Sequence, residues 1–232
     1  MSTIATTNIK EPSSATNNIT LTSGGDTTIS GNATITGTPT FGGLTYPTAD
    51  GTDGQVLKTD GSGTLSFASP FTYDTAHTFD NTTSEKTFTG IPSTAKRITV
   101  LIEDLSPAST ATNQIFMRVG PSSGVITTNI YKYGMAYASF AENSTANNYY
   151  RLTHSNYTDH ANIWSGKITI TRLTASGNKW IVESQLGGTS GPIVNISGGS
   201  IDLGTDDLER LQIYHGSAVN YDSGIVNIMY ES

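Results

Sequence analysis

Cysteine is absent from this chain of 232 residues. Its absence excludes disulfide bonds, thiolate chemistry and cysteine-ligated zinc. Charged residues are also scarce, at 13% of the chain, whereas about 25% is usual for a soluble domain. Long apolar runs are missing too, since no segment approaches the ~20 residues that a membrane-spanning helix needs. We therefore expect a chain without disulfides and without membrane insertion.

Basic residues are few and scattered. Lys and Arg together number 12 against 19 acidic residues, the net charge is −7, and Lys96-Arg97 is the one adjacent basic pair. Nucleic acids and anionic membranes are bound through clustered positive charge, so we expect neither as a partner. The first residues, MSTIATTNIKEP, lack the charged and apolar regions of a signal peptide. We therefore expect synthesis in a cytoplasm, with any action outside the cell following release on a particle.

Short segments in which apolar and polar residues alternate follow one another between turn signals. A period of two residues is typical of β-strands. Between residues 71 and 232 it predicts strands at Lys86–Ile91, Arg97–Leu105, Gln114–Gly120, Tyr131–Phe140, Tyr149–Leu152, Trp164–Leu173, Asn178–Leu186, Ile193–Ile201, Leu208–Tyr214 and Gly224–Tyr230. The absence of a long amphipathic pattern predicts an all-β fold, closed as an antiparallel, jelly-roll-like β-sandwich. Its last strand is expected in the interior of a sheet.

The chain before residue 71 is too poor in apolar residues to form a core alone. We predict an extended attachment segment at 1–42 and a β-hairpin connector or stalk at 43–70, followed by the sandwich at 71–232. A hairpin of this size cannot bury its apolar residues by itself, which favours a homotrimer with an axial stack. The candidate stalk residues are Ile29, Ile35, Phe41, Val56, Leu57, Leu65 and Phe67. The alternative for the first residues is a polar tail that orders on docking.

Aromatic residues are concentrated between residues 131 and 164, among loops rich in asparagine. Sugar rings stack on aromatic faces, and their hydroxyls pair with amides and carboxylates. The candidate glycan contacts are Tyr149, Tyr150, Tyr157, Asp159 and Trp164, with the loops Ala141–Asn148 and Thr153–Ile163 supplying the asparagines. The alternative is that these rings line the core of the sandwich and that the loops are simple turns.

No constellation in the sequence points to catalysis or to a metal. His154 and His160 flank Asp159, but their spacing matches no standard ligand pattern. The acidic group at Asp202, Asp206, Asp207 and Glu209 lacks the spacing of a calcium loop. A nucleophile elbow and a phosphate-binding glycine loop are both missing. We therefore expect a protein that is not an enzyme and that has no cofactor.

Two segments resemble parts of a known class of proteins. Residues 47–67, PTADGTDGQVLKTDGSGTLSF, are similar to a connector in tail fibres and other fibrous virion proteins of tailed bacteriophages. Residues 221–231, YDSGIVNIMYE, are similar to the FDAGSINILYE ending of a β-sandwich domain of phage structural proteins, with changes that include Tyr for Phe, Ser for Ala and Met for Leu. The resemblance implies a fibrous component of a virion.

Three functional hypotheses remain open at this point. The first is a homotrimeric phage tail fibre, held by its N-terminal segment to a tail adaptor or nozzle protein, whose sandwich binds a host-surface glycan. The second is a head fibre or decoration protein anchored to the capsid by the same segment, favoured by the shortness of the chain. The third is an enzyme or a free lectin.

Overall fold

The fold is entirely β within the described residues of the computed structural model, which are 34–108, 114–137, 140–154, 163–175, 177–189 and 193–232. Its strands are β1 Thr40–Phe41, β2 Leu44–Thr45, β3 Val56–Thr59, β4 Leu65–Ala68, β5 Thr72–Tyr73, β6 His77–Thr78, β7 Glu85–Thr89, β8 Arg97–Pro107, β9 Ile115–Gly120, β10 Tyr131–Tyr137, β11 Phe140–Asn147, β12 Tyr150–Arg151, β13 Trp164–Arg172, β14 Lys179–Gly188, β15 Ile193–Asp202, β16 Arg210–His215 and β17 Tyr221–Glu231. In this part of the chain no helix is long and apolar enough to cross a membrane.

The chain divides into two compact units. Among the described residues, the smaller unit comprises 34–52 together with Leu57–Phe67, and the larger one comprises Asp53–Val56 together with the described part of Ala68–Ser232. The predicted boundaries at residues 42 and 70 stay a prediction.

The larger unit contains two antiparallel sheets. A nine-stranded sheet has the order β11-β10-β15-β14-β13-β8-β17-β5, and β6 pairs with β17 beside β5. A four-stranded sheet has the order β12-β9-β16-β7. Strand β17 lies between β8 on one side and β5 with β6 on the other, so the prediction of an interior position for the last strand is confirmed. The predicted hairpin of β13 and β14 is confirmed as well.

The hydrophobic core contains the inward-facing residues of both sheets. In β14 the side chains alternate from residue 179 to residue 186: Trp180, Val182, Ser184 and Leu186 are buried, and the odd-numbered residues are exposed. From the four-stranded sheet, Leu211 and Ile213 join the same buried cluster. Each apolar side chain of this size contributes about 1.5–3 kcal/mol when it is fully buried. The all-β sandwich predicted from the alternating pattern is therefore confirmed.

One predicted loop is a strand. Residues 141–148 were expected to form an asparagine-rich turn, whereas β11 runs from Phe140 to Asn147 and pairs with β10. The strand lies at the edge of the nine-stranded sheet. Backbone hydrogen bonds to β10 hold such an edge strand, so it forms without the apolar alternation on which the prediction relied.

The hairpin of β3 and β4 forms as predicted from its turn residues. Between the strands, the Asp60 carboxylate accepts hydrogen bonds from the backbone N–H groups of Ser62 (2.7 Å) and Thr64 (3.0 Å). These backbone hydrogen bonds lower the pKa of Asp60 below its usual value. Gly61 adopts φ of 79°, a conformation that costs glycine nothing and most other residues about 1 kcal/mol or more. The Asp-Gly dipeptide therefore fixes this turn.

Candidate functional site

The predicted aromatic cluster does not form a single surface. Tyr150 and Trp164 have no exposed area, and both belong to the core of the sandwich. Tyr150 shares a hydrogen bond of 3.1 Å with the Ser197 hydroxyl, and burial raises its pKa to about 12. Ile168 and Ile170, which point into the core, lie four and six residues after Trp164 in β13. An even spacing places all three side chains on the same face of the strand. The prediction that Tyr150 and Trp164 contact a glycan is therefore wrong, because both rings are fully buried.

Tyr149 lies differently from its neighbour Tyr150. It is half-buried, and its ring lies 4.4 Å from that of Phe116. Tyr157 and Asp159, the other predicted contacts, lie outside the described residues. For these three residues glycan contact stays a prediction.

Tyr149 belongs to a group of polar and aromatic residues on the outer face of the four-stranded sheet. Strands β9 and β16 turn Met117, Val119, Leu211 and Ile213 into the core. The residues between them must then point to the opposite face. We call this group the arginine–tyrosine face, and its residues are Phe116, Arg118, Tyr149, Arg151, Arg210, Gln212 and Tyr214.

Stacking organises the arginine–tyrosine face around the Phe116 ring. The Tyr214 ring lies 5.4 Å from Phe116, on the side opposite the β12 strand. The Arg118 guanidinium lies 4.3 Å from the centre of the Tyr214 ring, and that of Arg151 lies 5.3 Å from the Phe116 ring. Each such cation–π contact contributes about 0.5–2 kcal/mol. The guanidinium groups of Arg118 and Arg151 are therefore packed against the cluster of three aromatic rings formed by Phe116, Tyr149 and Tyr214.

Hydrogen bonds fix the arginines further. Arg118 Nε donates to the Asn148 carbonyl oxygen at 3.0 Å, and Arg151 Nη2 donates to the Tyr149 hydroxyl at 3.3 Å. Burial raises the pKa of Tyr214 to about 12, although the charge of Arg118 opposes this rise. The Tyr214 phenol is therefore neutral at neutral pH and can both donate and accept a hydrogen bond.

Gln212 lies in the middle of this face and is 7% exposed. In the strand register it stands between Arg118 of β9 and Thr87 of β7. Its Nε2 donates to the Thr87 hydroxyl at 3.4 Å, while its Oε1 is buried and accepts no hydrogen bond from the described residues. A buried acceptor without a donor costs about 1–3 kcal/mol. This oxygen is therefore an unsatisfied acceptor next to Arg118.

Sequence reasoning missed the arginine–tyrosine face because its members are far apart in the chain. Arg118, Arg151 and Arg210 lie on three different strands and look scattered. The sequence nevertheless contains a signal in two strands. Phe116 and Arg118 are separated by one apolar residue, and so are Gln212 and Tyr214, which places each pair on the face opposite the core. Only the pairing of β9 with β12 and β16 brings these pairs together.

A second feature is a groove of about 740 Å³ on the outer face of the nine-stranded sheet. Apolar side chains exposed along it include Leu101, Val194 and Ile225. Glu103 and Lys167 supply charge within the same groove. The groove therefore combines apolar and charged side chains on the exposed face of the sheet.

The predicted stalk residues remain largely uncovered within one chain. Phe41 is 54% exposed and Val56 is 48% exposed, and Ile35 and Leu57 are exposed as well. Leu65 and Phe67 are half-buried, and Ile29 lies outside the described residues. The Phe41 ring packs edge-on against Tyr46 at 5.5 Å between ring centres. Their assembly into an axial stack stays a prediction.

The described residues bring together no group of three His, Asp or Glu side chains that could hold a metal ion. His154 is buried, and its backbone N–H donates to Asn195 Oδ1 at 3.2 Å. Its proposed companions Asp159 and His160 lie outside the described residues. In the acidic group, Asp202 pairs with Lys179, and Asp207 pairs with Arg172. Carboxylates engaged in this way are structural partners of β13 and β14.

Comparisons with known proteins find few relatives. No family model matches this chain, and no curated protein matches it. Among solved structures, the chain is similar to the CBM2 module of the evolved Dit protein of Lactobacillus casei BL23 phage J-1. The sequence identity is 10%, the match covers 62% of this chain and 67% of that chain, and the TM-score is 0.22. A likeness at this level supports no conclusion about function.

Proposed function

We propose that this chain is a non-enzymatic structural protein of a tailed-bacteriophage virion. In this proposal it is a homotrimeric tail fibre whose β-sandwich binds a glycan of the host surface. The connector-like segment at residues 47–67 and the ending at residues 221–231 support the virion role through their resemblance to phage fibre proteins.

The observation that carries the binding role is the arginine–tyrosine face. Half-buried Tyr149 and Tyr214 flank the Phe116 ring and offer ring surface on which a sugar can stack, and the Arg118 guanidinium beside Tyr214 supplies hydrogen-bond donors. Protein sites for small polar ligands combine apolar and aromatic walls with a few oriented polar groups in this way. The face replaces Tyr150 and Trp164 as the candidate glycan contact.

Trimer formation is supported by the uncovered residues of the candidate stalk. Phe41, Val56 and Leu57 keep roughly half of their surface exposed within one chain. Burial of apolar surface contributes about 25 cal/mol per Å², so covering these side chains in three chains at once favours assembly. The N-terminal segment, residues 1–42, then attaches the trimer to a tail adaptor or nozzle protein of the particle.

Cell binding by the full-length chain tests this function. We expect fluorescently labelled protein to bind host cells, and purified host surface polysaccharide to compete for that binding. Tyr149→Ala removes a ring of the arginine–tyrosine face and should weaken cell binding, whereas Tyr73→Ala, at an exposed position of β5, should not. Chromatography of the polysaccharide after incubation should show no cleavage. Release of oligosaccharides would instead identify an enzyme.

A further inference from the structure

We propose that the arginine–tyrosine face binds acidic glycans, with Arg118 receiving a carboxylate or phosphate group of the polymer. This inference rests on the proposed glycan-binding function and names the class of glycan. Carboxylates of uronic or sialic acids and phosphates of phosphodiester polymers share the chemistry that a guanidinium recognises.

Charge distribution is the first support. The chain carries a net charge of −7, yet three of its 12 basic residues, Arg118, Arg151 and Arg210, meet on one face. The strand register also places Glu85 of β7 on this face, opposite Tyr214, so three arginines stand beside one carboxylate there. Among the described residues no carboxylate lies within ion-pair distance of Arg118 or Arg210. Elsewhere in the described part of the chain, Arg97 pairs with Glu231, Arg172 with Asp207 and Lys179 with Asp202. A positive patch on an acidic protein concentrates anionic ligands locally.

The orientation of Arg118 is the second support. Its Nε donates to the Asn148 carbonyl oxygen, and its guanidinium carbon lies 4.3 Å from the centre of the Tyr214 ring. The guanidinium also hydrogen-bonds the Tyr214 side chain, so the donors left for a ligand are its remaining Nη–H groups. A guanidinium held in this way binds a carboxylate or phosphate through two parallel hydrogen bonds with little further loss of side-chain freedom.

Gln212 supplies the third support. Its side chain is more than nine-tenths buried, and its Oε1 finds no donor in the described part of the chain. The residue is the cross-strand neighbour of Arg118 on the same face. A rotation of the amide that brings this oxygen to the surface would let a sugar hydroxyl next to the acidic group donate to it while the acid pairs with the guanidinium. A neutral sugar lacks the contact with the guanidinium, and an anion without a hydroxyl lacks the contact with Gln212.

Matched polysaccharides test the inference with the full-length chain. The probes are polygalacturonic acid, its fully methyl-esterified form and poly(glycerol phosphate), measured by isothermal titration calorimetry. We expect the acidic form to bind at least ~10-fold more tightly than the ester, because a charge-assisted hydrogen bond contributes about 1.5–3 kcal/mol. Poly(glycerol phosphate) distinguishes phosphate from carboxylate as the preferred acid. Equal affinity for the acid and the ester would overturn the inference.

Substitutions locate the binding on the face. Arg118→Gln should weaken binding of the acidic polymer about tenfold, and Arg118→Lys should lie between Arg118→Gln and the unmodified chain because it keeps the charge but loses the fork. Lys132→Gln, which removes the same charge from an exposed position in β10, is the matched control and should bind normally. Circular dichroism checks that each variant is folded. Equal losses in Arg118→Gln and Lys132→Gln would contradict a specific site.

The two proposals fail in different ways. If the chain binds host cells and a neutral host glycan but no acidic polymer, the acidic specificity is wrong and the glycan-binding function stands. If the chain binds neither host cells nor any glycan, the proposed function is itself wrong. Added salt should weaken binding of the acid more than binding of the ester, because screening acts on charge.

Discussion

Gly224 in β17 gives the sharpest test of the sandwich. Its φ is 117°, which residues with a Cβ rarely adopt, and an added Cβ would lie 2.5 Å from Leu105 Cα and 2.8 Å from Leu105 N. The register between β17 and β8 shifts beside it, between Ser223 and Ile225. The Gly224 carbonyl also accepts a hydrogen bond of 2.9 Å from Phe79 N–H. Both the conformation and the space at this position therefore require glycine.

Gly224→Ala should lower the free energy of unfolding by roughly 2–6 kcal/mol. Backbone strain contributes about 1–3 kcal/mol, and forcing the strands apart contributes about another 1–3 kcal/mol. For a domain of this size each 1 kcal/mol lowers the melting temperature by about 2–4 °C. The melting temperature should therefore fall by on the order of 5–20 °C in a calorimetric scan.

Gly198→Ala is the matched control. Gly198 is an exposed residue of β15 with nothing within 4 Å of an added Cβ, and its φ is not in the positive region. The substitution should leave stability unchanged or raise it by about 0.5 kcal/mol, because alanine loses less chain entropy on folding. If Gly224→Ala melts at the same temperature as Gly198→Ala, the packing of β17 against β8 described above is wrong.

The core, the stalk and the buried tyrosines each give a further prediction. Trp164→Ala should lower the free energy of unfolding, measured in urea, by about 3–5 kcal/mol because the indole is fully buried. A negligible decrease would place the ring at the surface. Light scattering of the full chain should give three times the mass of one chain, and combining Phe41→Ser with Leu57→Ser should lower it; a monomer before substitution would remove the stalk argument. Burial raises the pKa values of Tyr150 and Tyr214 to about 12. Between pH ~10 and ~12 both phenols therefore stay protonated in the folded state, whereas the same tyrosines in the unfolded chain lose their protons. Their contribution to stability should be complete below pH ~10 and should be lost as the pH rises toward ~12, which absorbance of tyrosinate at 295 nm follows; titration of every tyrosine near pH ~10 without unfolding would contradict it.

Much of the sandwich was predictable from local patterns. In strands such as β8 and β14, apolar and polar residues alternate because one face of the strand is buried and the other is exposed. The alternation in the sequence therefore predicts both the strand and its buried face. The turn at Asp60-Gly61 was predictable for a similar reason, because its carboxylate bonds the backbone within the same turn. Such features depend on residues that are close together in the chain.

The candidate site was less predictable because it depends on which strands pair. Tyr149 and Tyr150 look equivalent in the sequence, yet adjacent residues of an extended chain point to opposite faces, and Tyr150 lies in the core. The choice between the two faces depends on the partner sheet, which a single segment does not reveal. Arg118 and Arg151 likewise meet only through the pairing of β9 with β12.

The central claim is that this chain is part of a phage particle and presents its sandwich at the tail. Immunogold electron microscopy of intact particles, with an antibody raised against residues 71–232, tests it most directly. We predict gold at the tail, where the sandwich would meet the host surface. Gold spread over the head would instead identify a head fibre or decoration protein anchored to the capsid. Particles that carry no gold anywhere would contradict a virion role altogether.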